Sequence, residues 1–176
     1  MIDESIVYSK IGKALISVQR VEFLTEELLK LLTELDESFY GITTSEFLST
    51  SKKSLNTRLT LGNIFKILKL NPKFVIEAEL NEYLKMRNIL VHNLWRKYMT
   101  TKSQKQLKLL IEFCDKFDTS SNQIESYFKG FLYFLSLRHV HNSSYLHPEI
   151  KKLKNDFEYF IKASTVNGTK LPILKF

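Results

Sequence analysis

The chain has 176 residues, a formal charge of +7 and one cysteine, Cys114. That length suits a single domain with its own core, and one cysteine excludes an internal disulfide framework or a Cys-rich zinc site. With five glycines and three prolines, long periodic runs go uninterrupted, which points to an all-α chain.

Cys114 fits a reducing compartment and reads as a small buried hydrophobe. The positive excess is mostly lysine, in Lys102, Lys105 and Lys108 and again in Lys151, Lys152, Lys154 and Lys162. Such clusters attract polyanions, or form solvated helix faces. The segment Met1-Ile2-Asp3-Glu4-Ser5 is acidic and lacks a basic-then-apolar leader pattern. The apolar run Gly130–Leu137 is too short to span a bilayer. A soluble, cytoplasmic protein with no membrane association is expected.

The periodicity predicts a first helix from about Ile6 to Leu35, capped by Asp3, with Ile11, Leu15, Val18, Leu28, Leu31 and Leu35 inward and Glu22 at the edge. Asp36–Gly41 ends it, and a polar loop through Thr43, Thr44 and Ser45 follows. A second helix is predicted over about Lys52–Leu70, stopped by Asn71-Pro72. Pro72 then opens a third helix that runs to about Tyr98. After a break at Thr100–Ser103 comes a shorter helix with Leu107, Leu110, Ile111 and Cys114. Ser120-Ser-Asn-Gln123 resembles a capping box opening another, through Ile124, Tyr127, Phe128, Phe131, Leu132 and Leu135. Arg138–His147 reads as a loop, and Pro148 opens a last helix to about Ala163 that buries Ile150, Leu153, Phe157, Phe160 and Ile161. Residues Asn167–Phe176 form a tail. The expected fold is a compact antiparallel bundle of about five to six helices. It is one domain over 1–176, with its core in about 5–140 and a C-terminal helix and tail over 148–176.

The third helix carries the chemistry. Arginine is a permanent cation whose donor fork suits phosphate, and histidine is readily poised for proton transfer near neutral pH. Arg87 and His92 together are the minimum equipment for cleaving a phosphodiester without a metal. At about 100° per residue, Leu80, Leu84, Arg87, Val91, Leu94 and Tyr98 share a row, so Arg87 interrupts an apolar seam. Asn81, Lys85, Asn88, His92 and Trp95 form a neighbouring polar row. An ideal helix sets Arg87 and His92 roughly 140° apart, so one helix cannot aim both at one atom. Arginine's long stem can swing its head, or a second copy across a two-fold axis can complete the site. A charge in an apolar seam needs a partner; Glu22 and Glu82 are candidates, and His92 could simply bond a backbone carbonyl. Lys85, Trp95 and Arg96 flank the motif as candidate substrate-binding residues. Trp95 and Tyr98 could stack on bases, although their spacing beside Leu94 favours core or dimer-interface packing. His139, His141 and His147 share the 138–147 loop, but two histidines at spacing two without a nearby cysteine or aspartate make a poor metal signature. No metal and no cofactor is expected.

A long N-terminal helix, a Thr60-Leu61-Gly62 entry to a shorter helix, and a helix reading Glu-Leu-Asn-Glu-Tyr-Leu-Lys-Met-Arg87-Asn88-Ile-Leu-Val-His92-Asn-Leu-Trp95 resemble the HEPN superfamily. The likeness covers roughly residues 5–140 by helix order and is specific in the third helix. It implies a metal-independent endoribonuclease, working as a homodimer that apposes two motifs. It also implies a toxin or antiphage-defence effector with a cognate antitoxin or defence-system protein. Arg87, His92 and Asn88 would be catalytic. The RNA 2′-hydroxyl would attack the adjacent phosphorus with His92 as general base or acid, leaving a 2′,3′-cyclic phosphate and a 5′-hydroxyl. Arg87 would stabilise charge on the phosphoryl oxygens, and Asn88 would orient His92 or bond a phosphate oxygen. One branch, paired with a nucleotidyltransferase antitoxin, carries tyrosine two residues after the histidine; Leu94 stands there, against membership of that branch. The alternative is a non-catalytic module of the same fold that binds a protein partner or nucleotide.

Overall fold

The structure, a computed structural model, describes residues 2–34, 76–101, 103–140 and 146–165. All regular structure among them is helical: α1 (Glu4–Glu34), α2 (Glu77–Asn88), α3 (Gln104–Val140), α4 (Pro148–Lys151) and α5 (Lys154–Thr165). Beyond α2 the chain continues in two wide π-helical turns, Ile89–Asn93 and Trp95–Met99. The helix expected over 52–70, the region around Pro72, the segment containing His141 and the tail lie outside the described residues. Among the described residues no helix is long and apolar enough to cross a membrane.

The chain groups into two compact units, one formed by residues up to Glu22 with Ala78–Ile124, the other by Phe23–Glu77 with those from Glu125 onward. In the first unit Asp3 caps α1: its Oδ1 accepts from the Ser5 amide at 2.9 Å, and its carbonyl accepts from Ile6 and Val7. The buried row here is Val7, Ala14, Ser17, Val18 and Val21, whereas Leu15 is 40% exposed. Of the expected row, Val18 and, further along, Leu28 are buried; the other buried positions are the smaller Val7, Ala14, Ser17 and Val21. A ladder joins α1 to α3. Lys10 pairs with Asp115, Lys13 Nζ meets Asp118 Oδ2 at 2.8 Å, and Arg20 Nη2 donates to Asn122 Oδ1 at 3.2 Å. The partners advance together, so α1 and the start of α3 run parallel. Tyr83 of α2 stacks on Phe117 of α3 at 5.2 Å, and Tyr98 lies 5.4 Å from Phe113. Numbers rise on one helix as they fall on the other, so α2 and α3 are antiparallel.

The Tyr83–Phe117 stack also sets the rotation of α2. Its buried row is Ile76, Leu80, Tyr83, Met86 and Leu90, while Val91 is 40% exposed. Leu84 and Leu94, expected in the seam, are only half-buried. Arg87 therefore borders the apolar seam rather than interrupting it.

The expected break near 120 is absent, and α3 is one helix of 37 residues. Ser121 is buried, and its hydroxyl donates to the Phe117 carbonyl at 2.8 Å; Thr119 does the same to Asp115 at 3.0 Å. Hydroxyls that bond back one turn travel inside a helix instead of capping a new one. The helix also runs on through Arg138 and His139 to Val140, residues expected in a loop.

In the second unit, rings from the latter part of α3 meet those of α5. Phe131 stacks on Phe160 at 5.4 Å and Phe134 on Phe157 at 6.3 Å. Gly130 permits this approach: a Cβ there would overlap the Asp156 carbonyl and stand 2.5 Å from Phe160 Cβ. The single C-terminal helix expected from Pro148 is divided at Lys152–Leu153, where the Leu153 amide bonds the Ile150 carbonyl at 3.0 Å. Of the five residues expected inside, Phe160 is buried and the other four are half-buried.

Candidate active site

Leu90 and Met99 are nine positions apart, and both are buried. In an α-helix they would face opposite ways, because nine steps of about 100° make two and a half turns. Bonding from i to i+5 widens the turn, so two turns take roughly nine residues. The π-helical stretch thus returns Met99 to the side of Leu90. The same widening acts on Arg87 and His92, which lie just over one wide turn apart. Arg87 Nη1 stands 3.5 Å from His92 Nε2 and 3.5 Å from Asn88 Oδ1. Of the two arrangements the sequence left open, the one seen is that a single helix brings the two side chains within 3.5 Å of each other.

Arg87 Nη2 meets Glu22 Oε1 at 2.8 Å, with the two side chains 22% and 32% exposed. Its Nε is buried with no hydrogen-bond partner. The ion pair with Glu22 raised by the sequence is thus present, while Glu82 pairs with Lys116 at 3.4 Å. His92 and Asn88 are exposed. A guanidinium can only donate, so at 3.5 Å Nη1 can serve Nε2 only in the tautomer that leaves that nitrogen bare. The cluster therefore presents a donor aimed at a proton acceptor, side by side and open to solvent.

Lys85, Trp95 and Arg96 are exposed on the same stretch, and no hydrogen bond or ion pair joins them to the cluster. Trp95, at 63% exposure, is not core within this chain, whereas Tyr98 is buried with Lys97 Nζ 5.3 Å from its ring centroid. Lys85, Arg96 and Lys97 are exposed cations on this stretch, alongside the exposed Glu79 and Glu82.

Other chemistry-bearing residues have structural partners. Cys114 is buried, and burial pushes its thiol up to about 11, so it is no nucleophile. His147 caps α4, its Nδ1 accepting from the Glu149 amide at 3.4 Å. Among the described residues no group of three or more His, Cys, Asp or Glu could hold a metal ion. Compared with protein-family models, curated proteins and solved structures, the chain matches none.

Proposed function

We propose that this chain is a metal-independent endoribonuclease of the HEPN kind, with Arg87, Asn88 and His92 as its catalytic residues. The observation that carries the reading is the 3.5 Å approach of Arg87 Nη1 to His92 Nε2 on an exposed face. A phosphate oxygen arriving at Nη1 draws the guanidinium proton away from His92 and frees the Nε2 lone pair. His92 then takes the proton of the RNA 2′-hydroxyl as that oxygen attacks phosphorus. Arg87 holds the developing negative charge, and Asn88 bonds a phosphate oxygen or steadies the imidazole.

The 5′-oxygen leaves from the opposite side of phosphorus, out of reach of the same imidazole. It takes its proton from a second acid, for which His92 of a second copy is the group that the family resemblance implies. The products are a 2′,3′-cyclic phosphate and a 5′-hydroxyl, and DNA, lacking the 2′-hydroxyl, survives. Lys85 and Arg96 would hold flanking phosphates, and the exposed Trp95 would take a base. The same resemblance suggests a cytoplasmic toxin or antiphage-defence effector, held in check or triggered by a cognate antitoxin or defence-system protein.

A second reading has its own support. Glu22 meets the charge of Arg87, which is what a purely structural arginine in a binding module would require. Incubating RNA with the protein, Arg87→Ala and His92→Ala, chelator present, separates the two. The ribonuclease reading expects cyclic-phosphate ends and a loss of roughly 10²–10⁴-fold in each variant. Equal cleavage by all three would refute the assignment, and absence of cleavage by any would favour the module.

A further inference from the structure

We infer that Glu22 is a positioning residue that holds Arg87 in register with His92; the inference rests on the ribonuclease reading above. A guanidinium carries five donors in one rigid plane. Three of its contacts can be ranked. Nη2 to Glu22 Oε1 is a firm charge-assisted bond at 2.8 Å. Nη1 lies 3.5 Å from both Asn88 Oδ1 and His92 Nε2, too far for either to fix it. Nε is buried and bonds nothing. Glu22 therefore supplies the single strong constraint on the plane.

The constraint comes from far along the chain. Glu22 precedes Arg87 by 65 residues and sits on α1, just beyond Arg20, the last rung of the ladder that ties α1 to α3. A helix held in place on one side thus presents a carboxylate to α2 on another. Because the carboxylate takes Nη2, it leaves Nη1 as the donor that faces His92. Without it, a half-buried guanidinium on a long flexible stem turns toward solvent, and Nη1 leaves the imidazole.

The opposite role, an internal anion that blocks the phosphate site, predicts the opposite sign. Removing Glu22 would then raise activity.

The experiment compares wild type, Glu22→Ala, Glu22→Gln and His92→Ala on a single-stranded RNA oligonucleotide with chelator present. It reads kcat and KM separately, and follows the Arg87 guanidinium ¹⁵N–¹H signals by NMR, assigned with Arg87→Lys. Displacement of a reacting group by about 1 Å costs on the order of a hundredfold. Glu22→Ala is expected to lower kcat by roughly ten- to a hundredfold, with KM changed by less than about threefold. Its Nη signals should collapse to an average. Glu22→Gln keeps the chain length and one acceptor oxygen and should fall between, with the signals still resolved. If Glu22→Ala does not fold, Glu22→Gln carries the comparison, and activity equal to or above wild type overturns the inference. An inactive His92→Ala beside a fully active Glu22→Ala sinks the positioning role alone. If none of the proteins cleaves, the ribonuclease reading fails and the NMR decides the rest. An Arg87 that stays ordered without Glu22 rejects the inference.

Discussion

Residues 115–123 of α3 and residues 89–99 beyond α2 belong to the same compact unit and treat the helix in opposite ways. The first stretch is rich in Asp, Thr, Ser and Asn, residues that compete for backbone bonds, yet it keeps the α turn throughout. The second contains neither glycine nor proline, yet it widens into two π turns. In α3 five of the six competing side chains have a destination that leaves the helix intact. Thr119 and Ser121 bond back to carbonyls, and Asp115, Asp118 and Asn122 reach across to α1. Beyond α2, Leu90 and Met99 both require the interior, and only a wider turn supplies it to both. Helix register here follows where side chains must go, more than what the local residues prefer. The π turns also carry a chemical consequence, because widened turns inside helices occur frequently at functional sites.

The largest expected effect comes from changing the spacing within the widened turn. Inserting one alanine after Val91 makes the Arg–His spacing six, which neither an α turn nor a π turn brings to one face. Cleavage should fall by roughly a hundredfold or more, the scale set by misplacing a reacting group, while circular dichroism stays helical. Deleting Val91 makes the spacing four, which an ordinary α turn does bring together. That variant should retain more activity than the insertion while losing stability, because Met99 turns away from the interior. An insertion variant as active as wild type would break the link between the widened turn and the site.

Two glycines extend the comparison, since both lie within helices and neither interrupts one. Gly12 of α1 has nothing within 4 Å of an added Cβ. Gly130 of α3 has the Asp156 backbone and Phe160 against it. Gly12→Ala should stabilise by roughly 0.5–1 kcal/mol through helix propensity. Gly130→Ala should destabilise by about 2 kcal/mol or more, as overpacking against a backbone that cannot yield. Urea unfolding of the two variants reads the opposite signs directly. A neutral Gly130→Ala would mean that α5 approaches α3 less closely than described.

The all-α class was legible because glycine and proline are rare and the apolar spacing is helical over long runs. The Arg87–Glu22 pair was legible as one of two candidates, Glu22 or Glu82, for a charge read as interrupting an apolar row and needing a carboxylate within reach. The rotation of α1 was legible only in part: Val18 and Leu28 are buried as expected, but Val7, Ala14, Ser17 and Val21 complete the buried face where Leu15 was expected. The continuity of α3 was hidden for a related reason. Whether Ser120 caps a new helix or travels inside an old one depends on the packing of its neighbours, such as the buried Ser121, which local sequence does not carry. The meeting of Arg87 and His92 was left open between a swing of the arginine stem and a second copy, because an α turn was assumed where burial of Leu90 and Met99 is met by a wider one.

The smallest effect tests whether the polar side of α3 acts through its links to α1. Asp118 accepts from Ser17 Oγ at 3.0 Å and pairs with Lys13 at 2.8 Å. The Lys13 bond, aided by the Ser17 hydroxyl and by Lys13 and Arg20 as nearby charges, holds its carboxyl below the ordinary value of 3.8, against the opposing effect of burial. A carboxylate whose folded pKa lies below its unfolded one contributes stability that is complete above the unfolded value. That contribution fades as pH falls from 3.8 through the folded value. Asp118→Asn keeps the shape and an acceptor for Ser17 but cannot ionise. Lys13 is largely exposed, so solvent screens the pair, and the variant should lose only about 1 kcal/mol at pH 7. The gap between wild type and variant should then narrow as unfolding is measured from pH 5 down to about pH 2. A gap that stays constant across that range would show that Asp118 acts through its shape and its bond to Ser17, with its charge contributing nothing to the ladder.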